Sequence, residues 1–229
     1  MKYFQSVLAF GDSHVAGCEL SDLASLEDYT SGKLTLEQAD DAGKEFAFPQ
    51  LVADQLNIPC YNYAMTGGSN ARSLRLLIQA VQQHPNALIL FGYTCTDRTE
   101  FYYPDAGTFL GRDKDNFLQV GMQWEGAIKD TGMTHPINDI FIKNILREHD
   151  NLNDLMFLVD SIGVLNAITT LHLPLFNGTT PADIDVFDFQ GHGSYLSWCK
   201  ANSFKQMPYL HYYRDAHAAL AELILKEIK

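Results

Sequence analysis

Hydrophobic and polar positions in the first half of the chain follow two periods. Short continuous apolar runs, which are typical of buried strands, fall at 6–10, 58–64 and 87–94. Between them, apolar residues recur at helical spacing over 46–56 and 69–84, and Ser69 or Asn70 can cap the second of these helices. The resulting order of strand, helix, strand, helix and strand predicts βαβ units and a parallel sheet.

The second half of the chain follows this pattern less regularly. Residues 98–135 carry many aromatic residues, Gly and Asp with no clean period, and they predict an insertion or lid within a single domain spanning 1–229. The polar stretch 19–45 predicts a long excursion over the surface. The remaining predicted elements are helices over 137–147 and 151–171, a strand over 173–178, a short helix near 195–201 and a last helix over 215–228.

Composition limits the classes of function without choosing one. Hydrophobic residues make up 46% of the 229 positions, enough for a sizeable core. The net charge of -12 disfavours binding to nucleic acid or to an anionic membrane surface. The four cysteines form no C-x-x-C pair, so neither a zinc site nor a disulfide framework is expected. With no signal-peptide pattern and no apolar run of membrane-spanning length, we expect a cytoplasmic protein.

Candidate chemistry collects where the predicted strands end. The carboxyl ends of parallel strands meet at one edge of a sheet, so polar residues that follow them are expected to lie together. In chain order these are Asp12, Ser13 and His14; Gly67 and Gly68; Thr94; and, just before the last helix, His211. A hydroxyl, a glycine turn with backbone amides, a second hydroxyl and an imidazole are the parts that acyl transfer needs.

The order and spacing of these residues resemble the SGNH, or GDSL-type, hydrolase family over nearly the whole chain. The first family block matches Gly11-Asp12-Ser13, the second matches Asn62 and Gly67, and the third is Gly92-Tyr93-Thr94 in place of Gly-x-Asn. His211, with His217 six positions later, matches the block that carries the catalytic histidine. The stretches GGSNARSLR and GYTCTDRTEFYY are most similar to the subgroup found in tailed bacteriophages and some bacteria. The resemblance implies a three-layer α/β/α fold with a flavodoxin-like parallel sheet.

The resemblance also implies serine-based hydrolysis of a carboxylic ester, which needs neither a metal nor a cofactor. Ser13 would attack the ester carbonyl, and His211 would take its proton. The backbone N–H groups of Ser13 and Gly67 would hold the oxyanion, and the Thr94 hydroxyl would take the place of the family's Asn as third donor. Asp12 would support the loop around the serine without transferring a proton.

Two neighbouring residues after the third strand leave two interpretations open. Asp97 and Arg98 could bind a substrate carboxylate through the guanidinium fork, or they could form a structural ion pair that ties the lid to the sheet. The resemblance makes Asn62 a further supporting residue beside Asp12, because it matches the second family block.

One departure from the family pattern concerns the acid that orients the histidine. The family places an aspartate three residues before it, and here that position is Pro208. Three explanations compete: a backbone carbonyl holds His211 in a Ser-His dyad, an acid such as Asp188 or Asp215 folds in, or the site is degenerate. His192 is a rival base, but the spacing to the last helix favours His211. An imidazole held in the wrong tautomer can cost on the order of 10⁴ in rate.

Two hypotheses about function follow. The first is a serine esterase acting on a small-molecule or glycan ester, for example an O-acetyl group. The second is a catalytically degenerate module on the same scaffold that binds carbohydrate or serves as a virion-associated structural protein. The missing aspartate and the replaced asparagine motivate the second hypothesis, and labelling of Ser13 by a fluorophosphonate separates the two.

Overall fold

The computed structural model describes residues 3–21, 36–96, 98–102, 116–121, 152–166, 168–176, 185–207 and 211–228. In chain order the strands are β1 (Ser6–Phe10), β2 (Cys60–Asn62), β3 (Ala87–Tyr93), β4 (Arg98–Tyr102), β5 (Phe117–Gly121) and β6 (Thr169–Pro174). The helices are α1 (Ser13–Ala16), α2 (Leu36–Lys44), α3 (Phe48–Leu56), α4 (Asn70–Ala80), α5 (Leu152–Leu165), α6 (Tyr195–Ala201) and α7 (Arg214–Glu227).

The main sheet has four strands in the order β2-β1-β3-β6, and every neighbouring pair is parallel. This is the strand order of the flavodoxin-like arrangement, in which the chain reverses direction across the sheet between β1 and β3. Ligands of such sheets bind in the crevice at the carboxyl ends of the strands at that point. Thr94 follows β3 directly, and Ser13 follows β1 after Gly11 and Asp12.

Successive side chains of the central strands point into two separate apolar cores. Val7 and Ala9 of β1 lie in one core, where α3, α6 and α7 cover the sheet. Leu8 and Phe10 lie in the other core, which α4 and α5 cover. Since a strand places consecutive side chains on opposite faces, a continuous apolar run is what a sheet covered on both sides requires. The predicted three-layer α/β/α architecture is therefore confirmed.

The fourth strand of the main sheet lies earlier in the chain than predicted. The expected helix over 151–171 ends at Leu165, and the strand is Thr169–Pro174 rather than 173–178. Gly163 near the end of α5 lets the helix lie close to this strand, because a Cβ there would lie 2.5 Å from the Thr170 hydroxyl oxygen. The prediction was wrong because Ile168 continues the helical apolar spacing by chance, whereas the β-branched residues Thr169 and Thr170 that follow it begin the strand that pairs with β3.

The described part of the predicted insertion is an antiparallel pair formed by β4 and β5. The rest of 98–135, and the helix expected over 137–147, lie outside the described residues. The excursion predicted over 19–45 contains α2, whose Asp40 and Gly43 are buried, so this stretch is more than surface chain. Within the ranges given above, no helix combines the length and the apolar character that crossing a membrane requires.

Candidate active site

Ser13 is the first residue of the single-turn helix α1, which follows β1 after a tight turn. Asp12 is the N-cap, and its Oδ1 accepts a hydrogen bond from the His14 N–H at 3.0 Å. Gly17 ends the helix in the left-handed conformation with φ 81°. Ser13 is half-buried, and its backbone N–H, the first of the helix, has no hydrogen-bond partner among the described residues. The turn therefore presents a serine and a backbone donor at the carboxyl end of the sheet.

A buried cluster of polar groups, formed by Asp12, Thr94 and Arg98, supports this turn. Asp12 is fully buried, and its Oδ2 accepts hydrogen bonds from Thr94 Oγ1 at 2.6 Å and from Arg98 Nη1 at 3.1 Å. Burial opposes the charged form, but the charges of His14 and Arg98 and the hydrogen bonds outweigh it and lower the pKa of Asp12. Arg98 also donates to Thr94 Oγ1 at 2.9 Å. Of the two interpretations of Arg98, the structural ion pair is the contact observed, while Asp97 lies outside the described residues.

The Thr94 hydroxyl has a single hydrogen, and in this arrangement it is donated to Asp12. Its predicted role as an oxyanion donor therefore requires that hydrogen to turn away from Asp12. Asn70, which the sequence marks only as a candidate helix cap, holds the backbone of the same residue. Its Oδ1 accepts from the Thr94 N–H at 2.9 Å, and its Nδ2 donates to the Thr94 carbonyl at 3.1 Å.

The segment that contains Asn62, Gly67 and Gly68 packs directly against the serine turn. Asn62 donates to the Val15 carbonyl of α1 at 2.8 Å. Gly67 adopts a positive φ of 72°, and a Cβ on Gly68 would lie 2.9 Å from the Gly11 carbonyl oxygen. Only glycine permits this approach at 68, so the turn at 67–68 is held beside the end of β1.

Asp40 of α2 fixes the residue that precedes the glycine turn. Its carboxylate accepts from the Thr66 N–H at 2.8 Å and from the Thr66 hydroxyl at 2.6 Å. Burial raises the pKa of Asp40 to about 6, although the two hydrogen bonds oppose the rise. Sequence patterning gave no sign of this carboxylate, because it lies in a stretch that is polar throughout.

His211 reaches the serine turn from near the C-terminal end of the chain. Its Nδ1 lies 2.6 Å from Glu19 Oε2, and its ring centroid lies 5.0 Å from that of His14, the neighbour of Ser13. The bond at Nδ1 leaves Nε2 as the ring nitrogen available for proton transfer. Ser13 Oγ and His211 form no hydrogen bond in the described part of the chain, and catalytic hydrogen bonds commonly tighten only around a substrate.

The other candidate histidines and acids take different places. His192 is exposed in a loop. Asp188 is also exposed and accepts from the Gly191 N–H at 2.6 Å, and Asp215 accepts from the Ala216 N–H at 2.9 Å. His217 is buried, and its Nδ1 accepts from the Phe48 N–H at 3.1 Å, which ties α7 to α3.

His14 is buried beside His211. Burial, with smaller contributions from the charges of His211 and Arg98, lowers the pKa of His14 to about 4, although Asp12 opposes the change. The imidazole is therefore neutral at pH 7. Its ring packs edge-on against Phe176 and Tyr195, with centroids 5.6 Å and 5.8 Å away.

The β4–β5 pair is anchored to α4 by its own polar network. Arg75 donates to both carboxylate oxygens of Glu100, at 2.7 Å and 3.0 Å. Gln119 of β5 accepts from the Ser69 hydroxyl at 2.9 Å. With Arg98 bound to Asp12, the pair is fixed next to the serine turn. Among the described residues, no group of three or more His, Cys, Asp or Glu side chains is arranged to hold a metal ion.

No protein-family model matches the sequence, and no curated protein matches it. Solved structures similar to this chain include a G-D-S-L family lipolytic protein from Desulfitobacterium hafniense, with 12% identity, 97% and 98% of the two chains covered, and a TM-score of 0.48. Phospholipase A1 from Streptomyces albidoflavus shows 13% identity, coverage of 98% and 99%, and a TM-score of 0.47. An acetylxylan esterase from Geobacillus stearothermophilus shows 12% identity, coverage of 100% and 96%, and a TM-score of 0.37. The candidate site rests on the contacts described above and not on these likenesses.

Proposed function

We propose that the protein is a serine esterase of the SGNH type, with Ser13 as nucleophile and His211 as general base. The observation that carries the proposal is the position of His211. Its ring packs against His14, the residue next to Ser13, with Nδ1 already bonded to a carboxylate. An imidazole held in this way keeps Nε2 for the serine hydroxyl, which is the arrangement of the serine hydrolases.

The reaction would proceed in two halves through an acyl-enzyme. Ser13 Oγ attacks the ester carbonyl carbon while its proton passes to His211 Nε2. The tetrahedral intermediate collapses, and His211 returns the proton to the departing alcohol oxygen. Water then attacks the acyl-enzyme with His211 as base, which releases the carboxylic acid and restores the serine.

The oxyanion of each intermediate would lie against backbone donors. The Ser13 N–H is suited to this role because it opens α1 and has no partner among the described residues. The Gly67 N–H is the second donor implied by the family pattern. Thr94 remains a candidate third donor, on condition that its hydrogen leaves Asp12. Loss of one such donor typically costs about 10²–10³ in rate.

The surroundings of Ser13 favour a small acyl group. His14, the next residue, is buried, and its ring packs against Phe176 and Tyr195. An acetyl ester of a sugar is the substrate class that we propose, because it combines a small acyl group with a polar, uncharged acceptor. The net charge of -12 disfavours polyanionic acceptors.

The direct test is hydrolysis of p-nitrophenyl acetate by the wild type and by Ser13→Ala. We expect the variant to lose nearly all of the turnover. Ser161→Ala is the matched control, because Ser161 is half-buried on α5, on the opposite face of the sheet. Equal rates for wild type and Ser13→Ala would remove Ser13 from the mechanism. No labelling of folded protein by a fluorophosphonate would favour the carbohydrate-binding or virion-associated module instead.

A further inference from the structure

The acid that orients His211 is the part of the site that the sequence does not identify. The structure supplies a carboxylate from the other end of the chain, since Glu19 Oε2 lies 2.6 Å from His211 Nδ1. The side chains of His211 and Glu19 are only 12% and 6% exposed, so water screens this contact weakly. Hydrogen bonds between an imidazole and a carboxylate at this distance are short and strong.

The backbone around α1 explains how Glu19 reaches this position. The N–H groups of Gly17 and Cys18 both donate to the Ser13 carbonyl at 3.0 Å, which closes the helix after one turn. Glu19 then adopts a left-handed conformation with φ 66°. A residue with a Cβ rarely adopts that conformation, because its Cβ crowds the following carbonyl oxygen. Strain of this kind persists where the surrounding structure holds it, and it clusters at functional sites.

A second contact fixes the same turn to the segment that carries the histidine. Arg214, the first residue of α7, donates through Nε to the Leu20 carbonyl at 2.9 Å. Its guanidinium also lies 3.7 Å from the centre of the Phe46 ring. The Glu19–His211 bond therefore belongs to a set of contacts that joins the nucleophile turn to the start of α7.

We infer that Glu19 is the positioning residue of His211 and completes a Ser13–Glu19–His211 triad. This inference rests on the proposed function. By accepting the Nδ1 hydrogen, Glu19 would fix the tautomer in which Nε2 carries a lone pair for the Ser13 proton, and it would stabilise the imidazolium formed during the reaction. The acid then comes from the turn that follows the nucleophile, and not from the segment that precedes the histidine.

The kinetic test compares Glu19→Gln with Asp215→Asn on p-nitrophenyl acetate. In Glu19→Gln we expect kcat to fall by up to about 10⁴ with little change in KM, because the amide no longer selects the tautomer. Asp215→Asn is the matched control and should retain wild-type kinetics, since Asp215 is an exposed acid close to His211 in sequence that, among the described residues, accepts a hydrogen bond only from the Ala216 N–H. Glu19→Asp, which keeps the carboxylate, should recover part of the lost kcat.

The tautomer itself gives a readout that a merely structural role would not change. Nitrogen-15 NMR of histidine-labelled protein should show the neutral His211 ring with its hydrogen on Nδ1 in the wild type. In Glu19→Gln that signature should shift towards the Nε2–H tautomer. Urea unfolding of each variant reports whether the fold is intact, and if Glu19→Gln does not fold, the wild-type tautomer and Glu19→Asp kinetics decide the matter.

The failures of the two proposals can be distinguished. A wild-type protein that neither hydrolyses the ester nor reacts with a fluorophosphonate would overturn the esterase assignment, and the triad with it. A reactive wild type whose kcat and tautomer are unchanged in Glu19→Gln would overturn only the role of Glu19. A loss of kcat without any tautomer change would also count against positioning and would point to a structural role.

Discussion

The buried His217 should make the fold sensitive to mild acid. Its Nδ1 accepts a hydrogen bond from the Phe48 N–H at 3.1 Å, and its side chain is 1% exposed. Protonation of Nδ1 would break this bond and place a charge in the core between α3 and α7. Burial, with smaller contributions from His14 and His211, lowers the pKa of His217 to about 3.

The sign of the effect follows from the two states of the chain. The unfolded histidine takes up a proton near its ordinary value of 6.5, whereas the folded one does so only near 3. Falling pH therefore stabilises the unfolded state first, and stability is lost between these values. At pH 5 the loss from this one group is about 2 kcal/mol relative to pH 8. His14 acts in the same direction, and the raised pKa of Asp40 opposes both.

His217→Asn isolates this contribution, because an asparagine oxygen can replace Nδ1 as acceptor without titrating. We expect the variant to be less stable than wild type at pH 8, owing to the lost ring volume. The difference in free energy of unfolding between wild type and variant should decrease by about 2 kcal/mol when urea unfolding is repeated at pH 5. His192→Asn in the exposed loop controls for removing an imidazole. A difference in free energy of unfolding that stays constant from pH 8 to pH 5 would show that His217 does not make the fold sensitive to acid.

Two further substitutions test contacts around the serine turn. Gly43→Ala should lower the free energy of unfolding by about 1–3 kcal/mol in urea unfolding, because the new Cβ would collide with the Gly17 carbonyl. This loss is expected although alanine favours a helix more than glycine does. A more stable variant would show that α2 does not approach the serine turn so closely. Thr94→Val should lower the free energy of unfolding by about 1.5–3 kcal/mol, since it removes a hydrogen bond to the buried Asp12 carboxylate and one from Arg98. We expect the kcat of this variant to stay within about tenfold of the wild-type value. A kcat loss of about 10² or more at unchanged stability would instead place the Thr94 hydroxyl on the oxyanion.

The central strands could be predicted because each is marked by a continuous apolar run within its own few residues. Each central strand is buried on both faces, and a strand in that position must be apolar at every residue. The runs at 6–10 and 87–94 therefore marked β1 and β3 within one residue. The start of α4 was also readable, since Ser69 caps it as expected, with its hydroxyl accepting from the Arg72 N–H.

The partners within the site could not be predicted, because they depend on packing between distant segments. Glu19 lies in a stretch whose polar composition indicates only surface, and nothing in that pattern relates it to His211. Asn70 matched a helix cap, and its actual bond to the Thr94 backbone appears only once α4 and β3 are adjacent. The sequence does predict a turn near Glu19, because Gly17 is suited to ending a helix, but it does not predict which residue the Glu19 side chain contacts.

The two positions at which the sequence differs from the SGNH pattern that it resembles have different physical consequences. At 94 the exchange of an amide for a hydroxyl changes what the residue does, because the short side chain bonds Asp12 and Arg98 within the support of the turn. At 208 the exchange of an acid for proline leaves the function to be supplied elsewhere, and Glu19 offers a carboxylate at hydrogen-bond distance from His211 Nδ1. A triad depends on the position of its charge and not on the chain order of its members. The missing aspartate is therefore weaker evidence for a degenerate site than the sequence suggests.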